Sequence, residues 1–291
     1  RFFTTLNTNI ERGTMNLESK RIIVTGCASG MGAATVRAYT GAGASVVGMD
    51  IVEDAGSSVC DDATGPGSAI FLPVDVAEYD SVQETFGKAV GHLGGLDVLA
   101  HPAAVHSAGA AEAIPAADWD RIFGINVRGT MLTNQAAHPH LKEAGGGAII
   151  NFGSISGQRA ESGSAAYSAT KGAVHAWTRS AAGAWGADNI RVNAVLPAIA
   201  TPMFRHAWEN SSEEEQNRKF WRNMESIALG QNYGDPDEDL GPVMVFLASD
   251  ASHFITGQLI PVDGGPDKRP IKPHRSMKNA HAGPCTLFRK E

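Results

Sequence analysis

Within the stretch YSATK, Tyr167 and Lys171 stand four residues apart. On a helix such residues share one face, one turn apart. A cation held beside a phenol favours the phenolate and lowers its pKa from about 10. A pair of this kind can give and take a proton near neutral pH. A second candidate is the loop TGCASGMG, residues 25–32, in which Gly26, Gly30 and Gly32 form G-x-x-x-G-x-G. Glycines allow a tight turn and a close approach of backbone to ligand. A helix that starts there offers free N–H groups and a positive dipole end to a pyrophosphate. Asp50 follows Gly26 by 24 residues. A carboxylate at that distance can accept hydrogen bonds from a ribose 2′-OH and would repel a 2′-phosphate. No Arg or Lys lies between Gly26 and Gly32 to offset the repulsion, so NAD(H) is the expected dinucleotide. Asp75 and Val76 close a third apolar run and suit an adenine edge.

These groups need a scaffold that brings them to one place. Apolar, β-branched runs occur at 21–26, 44–50, 69–76, 96–101, 148–154, 190–197 and 258–265. Most are nearly continuous rather than alternating, as in strands buried on both faces. Helical patterns lie between them near 31–42, 78–92, 118–143, 164–185 and 237–248. The β-α-β-α order predicts right-handed crossovers and a doubly wound parallel sheet of about seven strands, Rossmann-like, in one domain over 16–265. Residues 198–235 interrupt the order with an acidic, aromatic stretch that reads as a helical substrate lid. Residues 1–15 read as an N-terminal extension, too polar for a signal-peptide core. Residues 266–291 read as a basic tail, loosely docked or reaching a neighbouring subunit, with +5 against −12 for the remainder.

Bulk properties narrow the partners. The 291 residues are 43% hydrophobic and 19% charged, with a net charge of −7. That balance argues against nucleic acid or an anionic membrane as the main partner. No run of 18 apolar residues is present, so no membrane span is expected. Cys27, Cys60 and Cys285 are widely spaced, and neither they nor the ten histidines show metal-ligand spacing. Reduced thiols, a cytoplasmic location and no metal are the expectation.

Six segments in order, TGCASGMG, WDRIFGINV, INFGSISG, YSATK, RVNAVLP and FLASDASHFITGQLIPVDGG, together resemble the short-chain dehydrogenase/reductase family over about 17–265. Ser154 precedes Tyr167 by 13 residues, a usual interval in that family. The resemblance implies a nicotinamide-dependent oxidoreductase acting on a secondary alcohol or its ketone. Tyr167 would be the general acid/base. Lys171 would lower its pKa and hold the nicotinamide ribose. Ser154 would steady the substrate oxygen, and Asn126 would bend its helix and hold a water linking Lys171 to solvent. Cofactor contacts are implied for Gly26, Ser29, Gly30, Met31, Gly32, Asp50, Asp75, Val76, Ala103, Tyr167, Lys171, Pro197, Ile199 and Thr201. Small residues on the helical patterns 118–143 and 164–185 would build a homodimer or homotetramer.

Departures from the family pattern fall beside the cofactor. After the fourth strand run the chain has His101-Pro102-Ala103-Ala104 where the family usually has Asn-Asn-Ala-Gly, and Pro102 lacks an N–H. Ala198 follows Pro197 where Gly is usual, and the step to Thr201 is about one residue short. Met203, Phe204, Trp208, Phe220, Trp221 and Met224 in the lid suggest an apolar, cyclic or aromatic substrate body. Two other functions compete. A silent NAD(H)-binding sensor or scaffold would use the altered turn. A 3-oxoacyl-carrier reductase would want NADP and a basic docking patch, which Asp50 and the acidic core disfavour.

Overall fold

Apolar runs with side chains buried on both faces make the inner sheet. In a computed structural model of the chain, residues 15–265 are described, apart from 160, 162, 220–223 and 226. The tail 266–291 with Cys285, residues 1–14, and Phe220 and Trp221 therefore lie outside the described residues, as does the Met203 side chain. Seven strands pair in parallel in the order β3-β2-β1-β4-β5-β6-β7. They are β1 (Arg21–Thr25), β2 (Ser45–Asp50), β3 (Ser68–Pro73), β4 (Val98–His101), β5 (Gly147–Phe152), β6 (Ile190–Pro197) and β7 (Leu259–Val262). Along β1, Ile22 and Val24 enter the hydrophobic core on one face while Ile23 enters that on the other. That is the period-2 geometry of a strand with no solvent face.

Helices cover both faces. On one lie α1 (Gly30–Gly41), which supplies Val36 and Tyr39, and the C-terminal Gly241–Ala248, which supplies Met244 and Leu247. On the other lie α3 (Tyr79–Leu93), α5 (Gly129–Glu143) and α6 (Ala165–Trp185). A helix α2 (Glu53–Asp61) links β2 to β3, where the sequence pattern predicts none. Its buried residues are only Gly56 and Cys60, so it has no large apolar stripe to read. A Cβ at Gly56 would lie 2.2 Å from the Phe71 ring, which shows why the face had to stay small.

The expected helix 118–143 is broken. It comprises α4 (Ala116–Phe123), a π-helical turn Gly124–Arg128, and α5. The lid region holds α7 (Pro202–Glu209) and α8 (Glu213–Lys219), outside the sheet as expected; Gly241–Ala248 then becomes α9. Phe204 packs edge-on to Tyr233 with ring centres 4.7 Å apart, and lies 5.9 Å from Trp208. Trp208 and Met224 are buried, so part of the apolar content of residues 198–235 is packed inside the protein. Ala136, Ala137, Ala181 and Ala182 are buried against the sheet within the chain, not presented to a neighbour.

The chain steps from β1 outward to β2 and β3, then returns to β4 on the other side of β1. In open α/β sheets that reversal leaves a crevice beyond the carboxyl ends of the two strands, where ligands bind. The glycine loop after β1 and the His101–Ala104 turn after β4 both end there.

Candidate active site

The crevice is shaped by close backbone contact. Gly26 and Gly30 have φ of 63° and 54°, a region other residues seldom adopt. A Cβ on Gly26 would lie 2.6 Å from the Cα of Ala103, and one on Gly32 would lie 1.9 Å from the Gly26 carbonyl. Loop, helix start and β4 turn are thus packed without room for a methyl group. Helix α1 begins after Ser29 with no side-chain cap and no acidic residue in its first turn. Its N–H groups and dipole suit an anion, so the residues present fit a dinucleotide pyrophosphate. Asp50, at the end of β2, accepts hydrogen bonds from the N–H of Ala28 at 3.0 Å and of Val52 at 3.0 Å. Its carboxylate is therefore fixed beside the glycine loop.

Other expected cofactor residues are placed less directly. The Asp75 carboxylate accepts from the Ala77 N–H at 2.9 Å, and Val76 is buried against Gly129. Met31 packs its side chain onto the core. Ile199 bridges to Gly234, and the Thr201 hydroxyl accepts from the Phe204 N–H at 3.3 Å at the start of α7. His101 is buried between two hydroxyls, with Nδ1 2.7 Å from Thr25 Oγ1 and 3.1 Å from Thr133 Oγ1. Its departure from the family residue therefore has a packing role inside the sheet end.

Strand β5 and helix α6 bring the proposed reacting groups together. The Gly153 N–H continues the β5 ladder to the Val195 carbonyl, and Ser154 follows in extended backbone. Its hydroxyl accepts from the Ser156 N–H at 3.1 Å. On α6, Tyr167, Lys171 and His175 recur every four residues and so line one face. Lys171 is buried and donates to the Phe152 carbonyl at 2.8 Å, with Nζ 5.6 Å from the Tyr167 ring centre. Burial lowers its pKa to about 8.

The phenol itself departs from expectation. Burial pushes Tyr167 above its ordinary value, a hydrogen bond with the Ser154 side chain pulls it down, and the Glu161 charge pushes it up. The net direction is upward, because desolvation of a phenolate outweighs the single hydrogen bond.

Asn126 sits buried in the π-helical turn, where the helical segment departs from α geometry. Its amide is engaged more fully than expected. Oδ1 accepts from the Val105 N–H at 2.8 Å, and Nδ2 donates to the Val105 carbonyl at 2.9 Å and to Thr170 Oγ1 at 3.1 Å. What its side chain holds directly is the loop after β4, clamped to the turn of α6 that carries Lys171. That clamp sets the neighbouring His106 ring 4.7 Å from the Tyr167 ring.

His175 was not anticipated. It is buried, and its Nε2 accepts from the Ser154 N–H at 3.3 Å. A Cβ at Gly153 would lie 2.5 Å from Nε2, and one at Gly157 would lie 2.7 Å from Cε1. The imidazole is the support on which the serine turn rests. Burial depresses its pKa to about 4. Its place four residues after Lys171 was the available signal.

The comparisons agree with this geometry. Residues 26–267 match a family model described as enoyl-(acyl carrier protein) reductase. The meso-2,3-butanediol dehydrogenase of Serratia marcescens is 36% identical over 252 residues, covering 86% of this chain and 96% of that protein. The 3-oxoacyl-acyl-carrier-protein reductase of Thermotoga maritima is 34% identical over 253 residues, covering 86% and 99%. A short-chain type dehydrogenase/reductase from Mycobacterium marinum superposes with a TM-score of 0.77 at 32% identity, covering 86% of this chain and 96% of that one.

Proposed function

Since the chain belongs to the short-chain dehydrogenase/reductase family, whose members use nicotinamide cofactors, we propose that this alcohol/ketone oxidoreductase works with NAD on small secondary alcohols. The observation that carries the reading is the meeting of Ser154, Tyr167 and Lys171 at the carboxyl end of β5, beside the glycine-loop crevice. The chemistry that a bound nicotinamide supplies is two-electron hydride transfer.

The chain's own groups do the rest. The Ser154 and Tyr167 hydroxyls converge on one substrate oxygen and stabilise charge developing there. Tyr167 takes the hydroxyl proton in oxidation and returns it in reduction. The raised affinity of its buried phenol for a proton makes it the stronger base once ionised. Lys171, with its pKa near 8, can exchange a proton at neutral to mildly alkaline pH, and its charge favours the phenolate during transfer. Gly26, Gly30, Gly32 and the start of α1 would hold the pyrophosphate. Asp50 would accept from the ribose hydroxyls, and its two backbone bonds leave lone pairs free for that. Asp75, Val76, Ala103, Pro197, Ile199 and Thr201 would complete the cradle.

Residues 16–265 then act as one unit, with α7 and α8 as the lid. A groove of Phe123, Val127, Met131, Val174 and Trp177 on the face of α4, α5 and α6 supports a homodimer or homotetramer. Among the described residues no helix is long and apolar enough to cross a membrane, and Cys27 and Cys60 are unpaired thiols. Both fit a cytoplasmic enzyme. The test is a panel of cyclic, aromatic, diol and sugar alcohols with NAD, read by NADH absorbance. Turnover that disappears in Tyr167→Phe supports the assignment. Dinucleotide binding with no turnover of any alcohol or ketone would favour a silent binding protein.

A further inference from the structure

One ionisable group at the mouth of the site has no part in the mechanism above. Glu161 lies on the loop between β5 and α6, with its side chain 21% exposed. The Ser156 hydroxyl donates to Glu161 Oε2, and the Ser156 N–H donates to Ser154 Oγ. The carboxylate is therefore one residue removed from the hydroxyl that faces the substrate oxygen. On the opposite wall His106 lies against the Tyr167 ring, with Nε2 3.3 Å from Ser164 Oγ. Tyr233, packed on Phe204, forms a further side. Behind the larger effect of burial, the Glu161 charge pushes the Tyr167 phenol and the His106 imidazole towards their protonated forms.

A carboxylate offers about four acceptor positions. Ser156 takes one, and Arg159 reaches Oε1 at 3.4 Å. The Arg159 side chain is 49% exposed, so this pair is a weak, solvent-screened one. Acceptor capacity and negative charge both remain.

We propose that Glu161 is a specificity residue: its carboxylate accepts a hydrogen bond from a second hydroxyl of the substrate, which selects neutral diols and polyols and rejects substrates with a negative charge near the reacting carbon. This rests on the reading of Ser154 and Tyr167 as the reacting pair. The Phe204 and Tyr233 rings, packed edge-on, offer apolar surface, so short diols with alkyl or ring carbons are the expected substrates. A site that bonds a substrate hydroxyl discriminates against the analogue that lacks it.

The test uses the full chain with NAD and three probes: a vicinal diol, the mono-alcohol of the same carbon skeleton, and a 3-hydroxycarboxylate. The quantity read is the ratio of kcat/KM values. The unsubstituted enzyme should favour the diol over the mono-alcohol by about 10-fold to 100-fold, the worth of a hydrogen bond to a charged acceptor. Glu161→Ala should collapse that ratio toward one. Glu161→Gln, which keeps an acceptor but no charge, should keep part of it and raise the relative kcat/KM of the hydroxycarboxylate. An unchanged diol ratio in both variants overturns the proposal. So does an equal fall on diol and mono-alcohol, which would make Glu161 only a brace for the serine loop. If the unsubstituted enzyme turns over no alcohol at all, the parent reading fails and this one with it.

Discussion

The two sides of the crevice are built by different means. The nucleotide side, formed by β1, α1 and the turn after β4, is shaped by backbone. Gly26, Gly30 and Gly32 matter for what they lack, and the Gly26–Ala103 and Gly32–Gly26 contacts leave no space for a methyl. The substrate side, formed by the loop after β5, the α6 face and the lid, is shaped by side chains. There the proposed roles of Ser154, Tyr167, Lys171 and Glu161 each rest on a particular atom, and His175 and Asn126 hold the serine turn and the loop after β4. Damage to the first side should appear in binding and stability, and damage to the second in turnover and selectivity.

The largest expected effect tests the second half of that contrast. Tyr167→Phe should lower kcat by about 100-fold to 10,000-fold, the usual share of general acid/base catalysis. NADH fluorescence titration should show little change in cofactor affinity. A loss of binding of similar size would merge the two sides into one. Gly32→Ala tests the first half. Its methyl would meet the Gly26 carbonyl, so the loop must shift, at about 1–3 kcal/mol of stability. Thermal melting with and without NAD should show a lower Tm and a smaller cofactor-induced rise.

Two buried histidines, His101 at the end of β4 and His175 under the serine turn, have a pH signature. Burial depresses His101 to about 3 and His175 to about 4, from 6.5. Between those values the unfolded chain binds more protons than the folded one. Stability from both is therefore complete above pH 6.5 and falls as the pH drops toward 4. Urea midpoints at pH 6.5, 5.5 and 4.5 should fall, by on the order of 2 kcal/mol per histidine across that range. His175→Gln should flatten the slope. The smallest effect probes the carboxylate proposed to read the ribose on the nucleotide side. Asp50→Ala should reduce the preference for NAD over NADP by about 10-fold, the worth of a hydrogen bond to a charged acceptor. An unchanged ratio would leave that side entirely to backbone.

The same contrast explains what could be read in advance. The inner strands were visible because a strand buried on both faces must be apolar along its length, as Ile22, Ile23 and Val24 show, and the half-exposed edge strands β3 and β7 by their short apolar runs. The glycine loop was visible because its spacing is a steric demand. Tyr167, Lys171, Ser154 and Asn126 were visible through a family resemblance and an i, i+4 spacing. Helix α2 was hidden because Gly56 and Cys60 bury too little to leave a periodic stripe. His175 carried the i, i+4 spacing of the α6 face, whereas His106 and Glu161 were hidden because nothing in their neighbours' spacing reveals contacts across loops. The upward direction of the Tyr167 pKa was missed because burial, unlike charge spacing, cannot be read from five letters.

The wide turn at Gly124–Arg128 carries a further consequence. A π-helical turn holds one more residue than the α-helical turn it replaces. Each α-helical residue advances the side-chain direction by about 100°. The stretches before and after the turn are thus out of phase by about that angle, although their amino acids read as a single amphipathic segment. Shortening the turn by one residue would restore a regular helix and swing the Asn126 amide off Val105. The barrel of the helix would survive such an excision, and the tether between two neighbouring loops would not.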